Sequence, residues 1–238
     1  MPIVLAVDTS AKSVSCAIAQ DTRILGSFYA NNGLTHSQTL MPMIEHLLSV
    51  TGIPVEKLDA VAVNAGPGSF TGVRIGVSAV KGLAFTNEIP CVSVSTLESM
   101  AQQVAATPGT LICGTMDARC QQVYSALFEI NEIGERVRLT DDAALTLTEL
   151  EALLVRQNRP IVLVGDGGEI SYNALKNSVP NLSLAPAAIR YQNACSTALV
   201  AIKKLMREET VSAEALLPEY LRLPQAEREL NSRLLNNK

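Results

Sequence analysis

The chain opens with short apolar runs set between polar turns, and then shifts to longer segments with helical spacing. "IVLAV" (Ile3 to Val7) is continuous and apolar, which predicts a buried strand. "VSCAIA" (Val14 to Ala19) and "ILGSFYA" (Ile24 to Ala30) predict two more strands, with Asp21 and Thr22 in the turn between them. In "SQTLMPMIEHLLSV", Leu40, Ile44, Leu47 and Leu48 recur at helical spacing. Pro42 fits that helix only near its start or at a kink. A strand over 60–64, a glycine-rich loop, a helix from about Thr71 to Phe85, a strand from Pro90 to Ser95 and a helix in "TLESMAQQVAA" follow. The predicted order is βββαβαβα.

"TPGT" (Thr107 to Thr110) breaks the chain, and the theme then partly restarts. "LICGTMDA" reads as a strand ending at an aspartate, and "QVYSALFEI" and "ERVRL" as a second hairpin. "TLTELEALLVRQ" is a helix whose Thr146 and Glu149 have the spacing of a capping box. "PIVLVGDGG" is a buried strand ending at Gly165 and Asp166, and helices are predicted near 170–177 and 192–208. In both halves an apolar run ends at a polar triplet, Asp8 to Ser10 and Asp117 to Arg119. The carboxyl edge of such strands is the usual ligand edge of an α/β sheet. Duplicated halves of this order facing a cleft describe the two-lobed architecture of actin, sugar kinases and Hsp70. The expected lobes are 1–106, joined by the helix at about 192–208, and a smaller, eroded 107–191. The segment 209–238 is expected as an irregular tail that wraps a surface.

Composition narrows the function. Hydrophobic residues make up 47% and charged residues 18%, enough to bury a sizeable core. The net charge of -4 argues against a free-standing nucleic-acid binder, though not against a subunit whose partners touch RNA. The five cysteines form no CxxC pair, and "MPIVLAVDTS" has no signal-peptide pattern. Reduced thiols in the cytoplasm are therefore the expectation. No apolar run approaches the roughly 18 residues that would span a membrane.

The segment "NAGPGSFTGVRIGVSAVKGLAF" (Asn64 to Phe85) invites a phosphate-loop reading, and its spacing rejects three such patterns. Val73 and Arg74 follow Gly72 where a P-loop needs Lys-Ser or Lys-Thr. Thr71 stands where the dinucleotide fingerprint needs its last glycine. Pro67 and Thr71 replace the glycines of an esterase elbow around Ser69. Within the helix, Gly72, Gly76, Ala79 and Gly82 cluster on one face. An interior helical glycine costs about 0.5–1 kcal/mol relative to alanine, so close approach of another element must compensate. Two readings remain: packing inside the domain, or a face for a partner helix. Leu40, Met43, Ile44, Leu47, Leu48, Gly72, Val73, Gly76, Ala79 and Val80 form the candidate partner face. Asp8, Thr9, Ser10, Gly66, Gly68, Ser69, Asp117 and Arg119 are the candidate cleft residues for phosphate and magnesium. His36 and His46 are ten apart, which is wrong for a helical zinc pair, so no metal site is expected.

The strings "VLAVDTSAKSVSCAIA", "NAGPGSFTGVRIGVSAVKGLA", "MDARCQQVYSALFE" and "PEYLR" together resemble the bacterial TsaB family, also called YeaZ, over nearly the whole chain. The resemblance implies an actin-like (ASKHA, ribonuclease H-like) fold of duplicated βββαβα units. It implies a non-catalytic subunit in the transfer of a threonylcarbamoyl group to N6 of the tRNA adenosine beside the anticodon. The implied partners are the catalytic paralogue TsaD, the ATPase TsaE and a second copy of the chain, with tRNA met only through the complex. TsaD carries a metal-binding His-x-x-x-His helix, whereas this chain has His36 and Leu40 at that spacing. No cofactor is firmly implied; ATP or ADP with magnesium is what the cleft could take within the complex. The competing expectations are an independent nucleotide-dependent phosphotransferase or ATPase and a glycoprotease-like metallopeptidase.

Overall fold

The computed structural model describes residues 1–222. Three strands, β1 (Ile3–Asp8), β2 (Val14–Gln20) and β3 (Arg23–Ala30), form an antiparallel meander. They are followed by α1 (His36–Thr51), β4 (Ala60–Gly66), α2 (Phe70–Phe85), β5 (Cys91–Ser95) and α3 (Thr96–Gln102). The second half runs β6 (Leu111–Asp117), β7 (Gln122–Ile130), β8 (Arg136–Arg138), β9 (Ala143–Thr146), α4 (Leu147–Val155), β10 (Ile161–Val164), α5 (Gly168–Leu175), β11 (Leu182–Leu184) and α6 (Ala194–Leu205).

One sheet has the order β3-β2-β1-β4-β5 and the other β8-β7-β6-β10-β11, the same path drawn twice, with β9 added against β7. β9 and β11 are absent from the sequence reading. Both are short and only half-buried, so neither carries a clear period-2 pattern. Thr146 and Glu149 form the predicted capping box of α4. Pro42 lies in the second turn of α1, exposed, where its missing N–H leaves the ladder one bond short.

The central strands read as unbroken apolar runs because both faces of each sheet are covered. Leu5, Val7, Cys16, Ile18, Val61 and Val63 pack with α1 and α2. The alternate residues Val4, Ala6, Ala62, Val92 and Val94 pack with Ala198, Ala201 and Ile202 of α6. In the second half, Ile112, Phe128 and Val164 pack with Leu97, Met100 and Ala101 of α3. The last helix of each unit thus covers the other unit's sheet. The sequence reading assigns α3 to the first lobe, because it follows β5 directly; by packing it belongs to the second. Ser99 Oγ and Thr197 Oγ1 lie 3.0 Å apart where α3 meets α6.

The tail wraps the first lobe as far as Tyr220, and Arg222 reaches the second. Val211 bridges Cys91 in antiparallel fashion, and Ala213 and Leu216 are buried in the α1–α2 core. The rest of the expected tail, 223–238, lies outside the described residues.

Candidate functional site

Two regions correspond to the sequence-level candidates: the β1–β2 turn with the glycine loop, and the outer face of α1 and α2. In the first, β1 ends at Asp8 and the chain turns through Thr9 and Ser10, all three buried. The glycine loop packs directly on that turn. Ser69 N donates to Ser10 O at 2.6 Å, and Thr9 Oγ1 donates to Gly72 O at 2.7 Å. A Cβ at Gly68 would overlap the Ser10 carbonyl oxygen, and one at Gly72 the Thr9 carbonyl oxygen. At Gly76 it would lie 2.5 Å from Thr9 Oγ1 and 3.1 Å from Val63. Gly66, at φ +142, leaves no room either, because the Glu219 carbonyl sits where its Cβ would be.

Asp8 lies within a buried hydrogen-bond network. Its Oδ1 accepts from Ser10 N at 2.9 Å and from Ser10 Oγ at 2.7 Å, and its Oδ2 accepts from Asn64 Nδ2 at 2.7 Å. Asn64 Oδ1 in turn accepts from Thr197 Oγ1 at 3.1 Å. Burial pushes the Asp8 carboxyl above its ordinary value of 3.8, against the pull of these hydrogen bonds. A magnesium-bound phosphate needs a free carboxylate and free N–H donors. Asp8 accepts three hydrogen bonds within the chain, Ser69 N is bonded to Ser10 O, and Gly72 N is bonded to Ser69 Oγ. These first-lobe groups are thus largely engaged by the chain itself.

The second lobe holds a separate acidic group. Asp117 is exposed at the end of β6, with Oδ1 accepting from Arg119 N at 2.7 Å. Arg119, Cys120 and Gln121 continue in left-handed conformation at φ 63, 53 and 60. Asp166 accepts from Gln192 Nε2 at 2.8 Å. Burial raises its carboxyl, the neighbouring Asp117 adds to the rise, and Gln192 and Lys12 oppose it. Asp8 and Asp117, paired in the sequence reading, thus have different partners. Asn64, Asp166 and Gln192 were missed there. Asn64 and Asp166 each sit at a strand's carboxyl end, a signal available in the sequence; Gln192 had none. His36, the first residue of α1, donates from Nε2 to Ala11 O at 2.8 Å. Among the described residues, no three His, Cys, Asp or Glu side chains group to hold a metal. Burial pushes the Cys16 thiol up to about 12 and the Cys113 thiol to about 11, which removes nucleophilic character.

The partner-face candidates divide into two groups. Ile44, Leu47, Gly72, Val73, Gly76 and Val80 are buried within the chain's own core, away from the outer groove, so they are not placed to meet a partner there; Leu40 is buried too, but lines that groove. Their spacing is that of the inner stripe, and one-face clustering alone cannot tell inner from outer. Met43 and Leu48 are half-buried against the same core, and Gly82 is exposed in open space. Ala79 is half-buried and lines a groove of about 650 Å³ between α1 and α2. Leu40, Met41, Phe70, Arg74, Ile75 and Ser78 also line it; Phe70, Arg74, Ile75 and Ser78 were not singled out in the sequence.

The comparisons with known proteins address this arrangement. The chain is 31% identical to the tRNA threonylcarbamoyladenosine biosynthesis protein TsaB of Escherichia coli, over 92% of this chain and 94% of that protein. The chain belongs to the TsaB family, a family of tRNA threonylcarbamoyladenosine biosynthesis proteins. The structure of YeaZ from Pseudomonas aeruginosa agrees, at a TM-score of 0.78 and 30% identity, covering 93% of this chain and all of that one (100%). The family model described as "TsaD: tRNA N6-adenosine threonylcarbamoyltransferase" matches residues 31–230. The ROK hexokinase of Thermus thermophilus, at 12% identity and a TM-score of 0.50 over 86% of this chain and 99% of that one, shares the actin-like ATPase fold. No helix among the described residues is long and apolar enough to cross a membrane.

Proposed function

We propose that the chain is a non-catalytic subunit of the assembly that transfers a threonylcarbamoyl group to N6 of the tRNA adenosine beside the anticodon. It acts by docking a TsaD-type paralogue on the outer face of α1 and α2. The observation that carries this reading is the groove between those helices, where Met41 is 45% exposed beside Phe70, Ile75 and Ala79. Methionine and aromatic side chains around a shallow apolar groove are the usual makings of a helix-docking surface. The TsaD family match over 31–230 supports a paired geometry, because a TsaD-type chain would carry the counterpart of this helix pair. A TsaE-type ATPase and tRNA held mainly by the partners complete the assembly, in the cytoplasm. The net charge of -4 favours RNA contacts on other subunits.

The test is Ala79→Glu, which sets a charge in the groove at a half-buried position on the edge of the core, in a variant first shown to be folded. The dissociation constant for a purified TsaD-type partner should rise about a hundredfold. Threonylcarbamoyladenosine formation in a reconstituted assay should fall, and recover when the variant is supplied in excess. Wild-type affinity in both Ala79→Glu and Met41→Glu would sink the proposal. Self-association lost in the same variants would mean that a second copy uses the same face.

A further inference from the structure

The "PEYLR" segment, Pro218 to Arg222, lies between the docking groove and the second lobe, and each of its polar groups is engaged by a different element. Glu219 N donates to Ala65 O at 2.7 Å, behind the glycine loop, and Glu219 Oε1 accepts from Ser93 Oγ at 2.8 Å. The Tyr220 ring stacks on Phe70 at 4.5 Å between centroids, and its hydroxyl accepts from Arg74 Nε at 2.7 Å. The Arg74 guanidinium lies 3.9 Å over the Phe70 ring. Arg222 then reaches the other lobe and donates from NH1 to Ala118 O at 2.9 Å. Ala118 follows Asp117 directly and precedes the three left-handed residues of the β6–β7 turn.

Phe70 and Arg74 form one wall of the groove, yet α2 alone does not hold them. Both are at the start of the helix on its solvent side, where a Phe and an Arg side chain keep most of their rotamer freedom. Tyr220 removes that freedom from outside the helix. Among the described residues Arg74 has no carboxylate within salt-bridge distance, so its guanidinium is oriented by a ring and a neutral hydroxyl. An arginine arranged in this way suits a carboxylate presented by a docking partner.

We propose that Pro218–Arg222 is a clamp: Tyr220 sets the Phe70–Arg74 wall of the docking groove, and Arg222 ties that wall to the β6–β7 turn of the second lobe. Docking strength then follows the position of the second lobe, and a displacement of the Asp117–Gln121 turn reaches the groove through Arg222. This inference rests on the docking reading above. Tyr220 and Arg222 are positioning residues, and neither lines the groove.

The test uses the full chain with Tyr220→Ala, Tyr220→Phe and Arg222→Ala, each first shown to be folded at the assay temperature. Tyr220→Ala should weaken TsaD-type partner binding roughly tenfold, the scale of one lost aromatic stack with its hydrogen bond. Tyr220→Phe keeps the stack and should fall between Tyr220→Ala and wild type. Arg222→Ala, remote from the groove, should weaken docking about threefold and speed amide exchange of Gly72 to Arg74 in the isolated chain. Wild-type docking and exchange in Arg222→Ala would overturn the clamp, as would wild-type docking in Tyr220→Ala. The exchange arm needs no partner. If Ala79→Glu leaves docking intact while Arg222→Ala still speeds exchange, the docking reading fails and the clamp stands.

Discussion

Gly72→Ala should be the most destabilising of the glycine substitutions in α2, costing about 3–5 kcal/mol. The new methyl group would overlap the backbone carbonyl oxygen of Thr9, and a backbone atom in a buried turn cannot swing aside as a side chain can. Relief requires α2 to lift from the β1–β2 turn, which would also break the Thr9 Oγ1 bond to Gly72 O and that of Ser69 N to Ser10 O. Overpacking of this kind costs about 1–3 kcal/mol, and each lost buried hydrogen bond adds about 1 kcal/mol. The sum is about 3–5 kcal/mol, a large share of a total stability of about 5–15 kcal/mol. The other helical glycines calibrate the claim. Gly76→Ala meets a rotatable side chain, Thr9 Oγ1 at 2.5 Å, and should cost less. Gly82→Ala meets nothing and should stabilise by up to about 1 kcal/mol through helix propensity. Urea unfolding of the three variants should rank them in that order. A Gly72→Ala protein as stable as wild type would show that the turn and the helix are not in contact.

Asp8→Ala should be the next most damaging change, for a reason unrelated to catalysis. It would leave three donors without acceptors inside the protein: Ser10 N, Ser10 Oγ and Asn64 Nδ2. At about 1–3 kcal/mol for each orphaned buried group, with partial rescue by water and rotation of the Ser10 hydroxyl, the expected loss is about 3–5 kcal/mol. Asp8→Asn should cost about 1 kcal/mol. Asn64 can rotate its amide to face the new Nδ2, and Thr197 Oγ1 can accept instead of donating. The pH dependence has a definite sign. Burial raises the Asp8 carboxyl above 3.8, so the folded chain holds this proton more tightly than the unfolded chain. The stability that Asp8 contributes is therefore greatest below 3.8 and falls as pH rises through the folded value. Wild type should gain on Asp8→Asn when unfolding is repeated at pH about 4 instead of pH 7. A constant difference across that range would mean that the carboxylate is not desolvated. If Asp8→Asn also keeps full activity in the reconstituted modification assay, the nucleotide-enzyme alternative loses its carboxylate.

Much of the fold could be read from local pattern. The strands of both sheet centres are runs such as "IVLAV" and "AVAVN", apolar because two layers of helix cover them. The Thr146–Glu149 capping box lies within four residues and needs no distant partner, so sequence spacing identified it. The site was harder to read. The glycine face of α2 was visible, but its occupant was not. A helix that accepts a close neighbour has the same pattern whether the neighbour is Thr9, in the same lobe, or a partner chain. Of the residues that line the outer groove, Leu40 stood in the helical stripe, while Phe70, Arg74 and Ile75 follow no period that separates them from ordinary surface. Tyr220 and Arg222 stood in a quoted motif, yet their contacts lie 146 residues away at Arg74 and 104 at Ala118.

The sequence by itself determined the longer strands and helices, but not β9 and β11, because period and breaker residues act over a few neighbours. It also determined the family, because the long GPGSFTGVRIG string and its companions are specific. Tertiary structure alone decided that α3 packs on the second sheet, that Asp8 bonds inward to Asn64 and Ser10, and that Gly72 meets Thr9. Each of these depends on which face of an element turns inward and on contacts between residues far apart in the chain. Local propensity carries no information about either.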